Sequence, residues 1–198
     1  MVIATGNAGK VKEFRAILRD SAFSFFMPKD LGFSEEVEET ANTFRGNAEL
    51  KAQAVWEYVS KTHPDYWIVA DDSGLEVRAL GGSPGVHSAR YAGVNASGKD
   101  RYTKLLKEME GKTDRNARFV CCLCLIRQGK VEFFEEESRG SILTEPRGEG
   151  GFGYDPVFLP EGYEKGFGEM SEEEKNKLSH RGRAIESMLG KLYSEGFG

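Results

Sequence analysis

The chain has 198 residues, of which 39% are hydrophobic and 30% charged, and its formal net charge is −5. That balance suits one globular domain or two closely joined lobes, and no apolar run approaches the ~20 residues of a membrane span. The acidic balance argues against a nucleic-acid polymer as partner, since phosphate-backbone binding needs a clustered basic face, whereas a single nucleotide needs only a few well-placed cations and a metal. The opening MVIATGNAGK has no charged segment leading into an apolar stretch, so the expectation is no secretory signal and a cytoplasmic location.

Met1 to Thr5 reads as a strand broken by Gly6-Asn7-Ala8-Gly9, after which Val11, Phe14, Ile17 and Leu18 recur at helical spacing. Phe23 to Met27 predicts a second strand ending at Pro28. The acidic stretch Glu35 to Glu39 precedes Thr40-Ala41-Asn42, the expected cap of a helix from Thr43 to Lys61 with Phe44, Ala48, Ala52, Val55 and Val59 on one face. Trp67 to Ala70 reads as a buried strand running into Asp71-Asp72-Ser73-Gly74. A glycine-rich loop, LGGSPGVHSARYAG, comes next, and Asp100 to Glu110 is helical in period. Arg118 to Ile126 and Val131 to Glu136 predict a hairpin across Arg127-Gln128-Gly129-Lys130. The glycine-rich run RGEGGFGYDPVFLP and the stretch EEEKNKLSHRGRAI lead to a closing helix from Ser179 to Tyr193. Mixed α/β is the class these elements define, with no repeat and no visible domain boundary.

Three cysteines, Cys121, Cys122 and Cys124, lie in RFVCCLCLI, and none of the three histidines is near them in sequence. Strand alternation sends Cys121 to the face opposite the other two. A metal or redox site is therefore set aside for a buried strand in which cysteine serves as a small apolar residue.

Four stretches carry chemistry. Thr5 to Lys10 places a glycine turn between strand and helix, where backbone N–H groups and the helix dipole favour an anion. Lys10 adds a full charge, although the spacing is not that of the GxxxxGK[ST] loop; the alternative is an ordinary turn capped by Asn7. Asp71-Asp72 at a strand end can present one carboxylate to a ligand, and which one the spacing leaves open. Glu35, Glu36, Glu38 and Glu39 are a second carboxylate source, and magnesium needs only one or two carboxylates plus phosphates and water. Gly150 to Pro156 sets Phe152 and Tyr154 among glycines beside Asp155, suited to stacking and reading a planar base. Lys175 with Ser179-His180-Arg181 suits phosphate or carbonyl oxygens. Together these are the parts of a nucleoside triphosphate site.

Thr5-Gly6-Asn7-x-x-Lys10-x-x-Glu13, the run ADDSGLEVRALGGSPGVHSARYAG from Ala70 to Gly93, GEGGFGYDPVF from Gly148 to Phe158, and SHRGRA from Ser179 to Ala184 resemble the inosine triphosphate pyrophosphatase family. The resemblance implies a mixed central sheet with flanking helices, an elongated two-lobed shape with the active site in the cleft between lobes, and a homodimer. It implies Mg2+-dependent hydrolysis of the inosine, deoxyinosine and xanthosine triphosphates to monophosphate and pyrophosphate. Carried over by residue, Thr5, Gly6, Asn7, Ala8, Gly9 and Lys10 would bind phosphates. Asp72 would be general base and metal ligand, with Glu39 the second ligand. Ser73 would contact substrate, Phe152, Gly153, Tyr154 and Asp155 would hold the base, and Lys175, His180 and Arg181 would complete the pocket. Where the family usually reads ETGxTFxENAxxKA, this chain has Ala41 for the glycine and Gly46 for the second glutamate, which leaves Glu39 as the metal candidate. The competing readings are a pyrophosphatase for modified pyrimidine or standard nucleotides, and a regulatory module that binds triphosphates without turnover.

Overall fold

In the computed structural model, which describes residues 1–197, the first apolar run forms strand β1 (Val2–Ala4) and leads to helix α1 (Ala8–Leu18). Asn7 caps α1, its side chain accepting from the Gly9 and Lys10 amides. Helix α2 (Phe44–Val59) is capped by Thr43, whose hydroxyl accepts from the Gly46 N–H. The cap thus lies one residue later than the expected Thr40 to Asn42. Strand β2 (Ile68–Val77) is followed by helix α3 (Gly98–Glu108), which opens with a reciprocal Ser97–Asp100 capping box. Strands β3 (Asn116–Arg127) and β4 (Lys130–Ile142) are joined by Gln128 and Gly129, at φ 51° and 75°, so the expected hairpin forms with a two-residue loop and longer strands than the Arg118–Ile126 and Val131–Glu136 read from the sequence. Strand β5 (Phe158–Pro160), helix α4 (Glu172–Leu178), again with a capping box (Ser171–Glu174), and helix α5 (His180–Ser194) complete the chain.

The five strands form one sheet in the order β1-β2-β3-β4-β5. It is mixed: β1 runs parallel to β2 with Ala4 opposite Ala70, and β5 runs antiparallel to β4 with Ile142 opposite Phe158. The expected strand from Phe23 to Met27 is absent. Phe26 makes a single parallel bridge to Val2, and Pro28, which has no N–H to donate, opens a short 3-10 turn to Leu31. The pair Asp71-Asp72 is not at a strand end, because β2 continues to Val77. It does lie just past the last residue that β1 pairs.

The chain divides into two compact units, and β2, β3 and β4 contribute to both, changing over after residues 72, 120 and 136. In the first unit every residue of β2 is buried, and side chains alternate between two apolar clusters. Ile3, Val69, Cys121, Leu123 and Leu125 pack against Phe14 and Leu18 of α1 and Ile185, Met188 and Leu192 of α5. Val2, Ile68, Ala70, Cys124 and Ile126 pack against Ala48, Ala52, Val55 and Val59 of α2. A strand covered on both faces must be apolar on both, which is why this part of β2 and β3 reads as a continuous run. Burial pushes the Cys122 and Cys124 thiols up to about 12, so they are inert apolar filling, as expected. In the second unit Leu75, Val77, Ala117, Phe119, Ile142 and Phe158 form a core with Leu105 of α3, Met109 just after it, and Phe167. Its intervening residues Glu76, Arg118 and Glu137 pair with one another near solvent, the period-2 pattern of a sheet covered on one face. Among the described residues no helix is long and apolar enough to cross a membrane.

Candidate functional site

In the first unit, the strand–turn–helix from Thr5 to Lys10 is held by its own side chains. The Asn7 N–H donates to Thr5 Oγ1 at 3.2 Å, and Asn7 Oδ1 takes the Gly9 and Lys10 amides at 2.9 and 3.2 Å. Two of the amides at this turn are therefore taken by the Asn7 cap, the alternative weighed for it from the sequence. What the turn does present is the Lys10 ammonium, which pairs with Asp71 Oδ1. The Cys121 thiol donates to the other oxygen of Asp71 at 3.1 Å.

Asp72 points to the opposite face, as strand alternation requires. Its Oδ1 lies 3.2 Å from Lys51 Nζ, and the same ammonium lies 2.8 Å from Glu39 Oε1. The two carboxylates thus converge on one cation. Asp72 Oδ2 is buried and has no hydrogen-bond partner among the described residues, a costly arrangement unless something else is bound there. Burial pushes the Asp72 carboxyl above the ordinary aspartate range; Lys51 and Lys10 partly offset this, while Glu39 and Asp71 add to it. Burial also disfavours charge on Lys51, yet the Asp72 and Glu39 carboxylates outweigh it and hold the ammonium above its usual value. Lys51 was missed in the sequence. A lysine three residues after Ala48 and four before Val55 lies within the apolar stripe of α2, and that position is the signal that would have found it.

The second unit holds the remaining candidates. Lys175 Nζ lies 2.5 Å from Asp155 Oδ2, which also accepts the Phe152 N–H at 2.7 Å. Lys175 and Arg181 both approach the Phe152 ring, at 4.8 and 5.8 Å from its centroid. His180 stacks on Phe119 at 4.7 Å with the rings 7° from parallel. Arg181, 2% exposed, donates to Ser73 Oγ at 2.7 Å. Phe152, Asp155, Lys175, Arg181 and Ser73 are thereby linked by direct contacts. Tyr154 is different: its ring is in the core and its hydroxyl donates to the Ser88 carbonyl at 2.8 Å. Anything this residue and Gly153 offer a ligand is backbone. A cavity of about 730 Å³ in this unit, lined by Glu76, Arg118, Arg139 and Tyr163, contains none of these residues.

Removing one member of a buried ion pair strands the other, at a cost of about 3–5 kcal/mol. Asp71 is 1% exposed, so Lys10→Met should lower stability by about 3 kcal/mol, with Asp71→Asn restoring most of it in the double variant. Urea unfolding measures both. A single variant as stable as wild type would show that the pair contributes nothing net.

An α/β protein with strand-borne carboxylates meeting cations in one unit and a cation–aromatic–carboxylate cluster in the other has the equipment of a nucleotide-handling protein. A family model described as the Ham1 family matches residues 1–191, and the chain belongs to that family. It is 45% identical over 195 residues to the dITP/XTP pyrophosphatase of Bacillus licheniformis, covering 97% of each chain. Among solved structures it is similar to the Staphylococcus aureus Ham1 protein, with TM-score 0.86, 38% identity and 98% of each chain covered. The Coxiella burnetii HAM1 protein matches with the same TM-score and coverage at 36% identity.

Proposed function

We propose that this chain is a nucleoside triphosphate pyrophosphatase that hydrolyses nonstandard purine nucleotides, the triphosphates of inosine, deoxyinosine and xanthosine, to monophosphate and pyrophosphate. The observation that carries this reading is the convergence of Glu39 and Asp72 on one cation, with a buried, unpartnered Asp72 oxygen. The name dITP/XTP pyrophosphatase borne by a relative at 45% identity supports the substrate class. Cytoplasmic location and a homodimer belong to the same proposal, on the family resemblance.

Mg2+ fits the donor set. No cluster of three or more His, Cys, Asp or Glu ligands occurs among the described residues, and magnesium takes one or two carboxylates, filling its octahedron with phosphate oxygens and water. Glu39 and Asp72 would hold it. Held by these two carboxylates, Mg2+ would supply positive charge against the charge that develops on the phosphates. Asp72 takes a proton from water as the water oxygen attacks the α phosphorus. The bond from that phosphorus to the bridging oxygen breaks, and pyrophosphate leaves. In the first unit Lys10 and Lys51 would supply positive charge for the triphosphate; in the second, the cluster around Phe152 and Asp155 has the chemistry to hold a base. The pairing of Asp72 with a ligand-binding carboxylate disfavours a regulatory module, since a pure binder gains nothing from a base at the α phosphorus.

Product analysis tests this reading. With inosine triphosphate and Mg2+, one pyrophosphate should appear per monophosphate, with no diphosphate and no orthophosphate, and EDTA should stop the reaction. Release of orthophosphate with a nucleoside diphosphate would move the cleavage to the β–γ bond and overturn it.

A further inference from the structure

The segment Glu39 to Thr43 is fastened to the first turn of α2 at two points. The Ala41 N–H donates to Asn47 Oδ1 at 2.9 Å, and Asn47 is fully buried. Ala41 also rests against Gly46: a Cβ built on Gly46 would stand 2.6 Å from the Ala41 Cβ and 3.1 Å from Thr43 Oγ1. Ordinary carbon–carbon contact is ~3.5–4 Å. The methyl of Ala41 thus occupies the space that a side chain at position 46 would need. The methyl at 41 and the bare backbone at 46 are thus sterically matched. Glu39 stands two residues before the fastened amide, and its carboxylate reaches Lys51, one helical turn beyond Asn47.

We infer that Asn47 is a positioning residue for Glu39, holding the Glu39–Ala41 segment against α2 through the Ala41 amide, with the Ala41 methyl and the bare Gly46 as the matched surface beneath it. The inference rests on the reading of Glu39 as a metal ligand. Ligand groups tolerate displacements of ~0.5 Å. Relieving a 2.6 Å contact moves Ala41 by an amount on the order of 1 Å, and groups behind a ligand commonly set metal affinity by ~10–100-fold. Because Asn47 acts through backbone, the expected effect is at the lower end.

The test is Mn2+ binding to the purified full chain, followed by electron paramagnetic resonance, with thermal unfolding alongside. Asn47→Leu keeps a side chain of similar size on the apolar face of α2 and removes the acceptor; Mn2+ affinity should fall about 5- to 10-fold. Gly46→Ala should weaken Mn2+ by a similar factor, and adding Ala41→Gly should restore it, a rescue that a merely weakened helix would not show. If Asn47→Leu fails to fold, the Gly46 and Ala41 variants decide alone. Glu39→Gln is the reference. Should it leave Mn2+ affinity unchanged, or should the wild type bind no Mn2+, the ligand reading falls and this inference with it. Should Glu39→Gln weaken Mn2+ while Gly46→Ala, or a folded Asn47→Leu, does not, Glu39 stands as a ligand and the positioning role is overturned.

Discussion

Asp72→Asn is expected to lower kcat/KM for inosine triphosphate by ~10²–10⁴-fold while the protein stays folded and still binds nucleotide. The amide keeps the side chain's size and an oxygen for the Lys51 ammonium, 3.2 Å away in the native protein. It cannot accept the proton of water, and it is a poorer partner for a divalent cation; general-base loss alone is worth ~10²–10⁴. Stability should move the other way. The folded carboxyl titrates above its ordinary range because it is buried, so between those two values the folded state binds more protons than the unfolded one. Wild-type stability in EDTA therefore falls as pH rises through that window. The Asn variant should lose that fall, since it has no charge to bury. Asp71→Asn is the comparison: its carboxylate faces Lys10 and Cys121 instead, so it should act through Lys10 and leave the base in place. If Asp71→Asn lost the activity and Asp72→Asn kept it, the roles of the two faces would be exchanged.

The alternation of a strand is enough to say that Asp71 and Asp72 part company, but not which one meets Lys51, because that depends on where α2 packs. The core of the first unit was legible for the same reason that the cysteines were: β2 and β3 there are apolar on both faces, and α2 carries a matching stripe. Phe23 to Met27 misled because an aromatic run looks like a strand whatever pairs with it. Here Phe26 meets only Val2, and its ring stacks on Tyr66 at 5.4 Å. The strand-end reading of Asp71-Asp72 failed because Ser73-Gly74 is good turn chemistry, yet β2 runs through it to Leu75 and Val77, whose burial in the second core supplies what local propensity did not. Lys51 and Asn47 were hidden by their surroundings. A polar residue inside an apolar helical face looks like an interruption of the period until the loop that folds over it is placed.

Base selectivity should be the largest effect. Inosine and xanthosine carry an oxygen at purine C6, where adenosine carries an amino group. In the second unit, the cations near the Phe152 ring are Lys175 and Arg181, and His180 precedes Arg181 at the start of α5. With the base held there, as proposed, a C6 oxygen would meet donors, whereas a C6 amino group would set donor against donor. Lys175, 5% exposed, is already held by Asp155 at 2.5 Å, so it cannot turn away to water when the wrong base arrives. Sites built around such a hydrogen bond reject the mismatched analogue by ~10⁴-fold, because the buried donors go unpaired. The expected kcat/KM for adenosine triphosphate is therefore about 10⁴-fold below that for inosine triphosphate at equal magnesium, with xanthosine triphosphate close to inosine. Guanosine shares the C6 oxygen and differs at its 2-amino group, so its rejection needs a clash or an unmatched donor at C2. The backbone between Phe152 and Asp155, fixed by the Phe152 N–H to Asp155 bond of 2.7 Å, is the rigid element suited to supply it. The measurement is kcat/KM for the four triphosphates under identical magnesium. Comparable values for inosine and adenosine triphosphates would reduce the enzyme to a general nucleotide pyrophosphatase. A Lys175→Met variant that lost inosine turnover while raising that for adenosine would place the discriminating donor on Lys175.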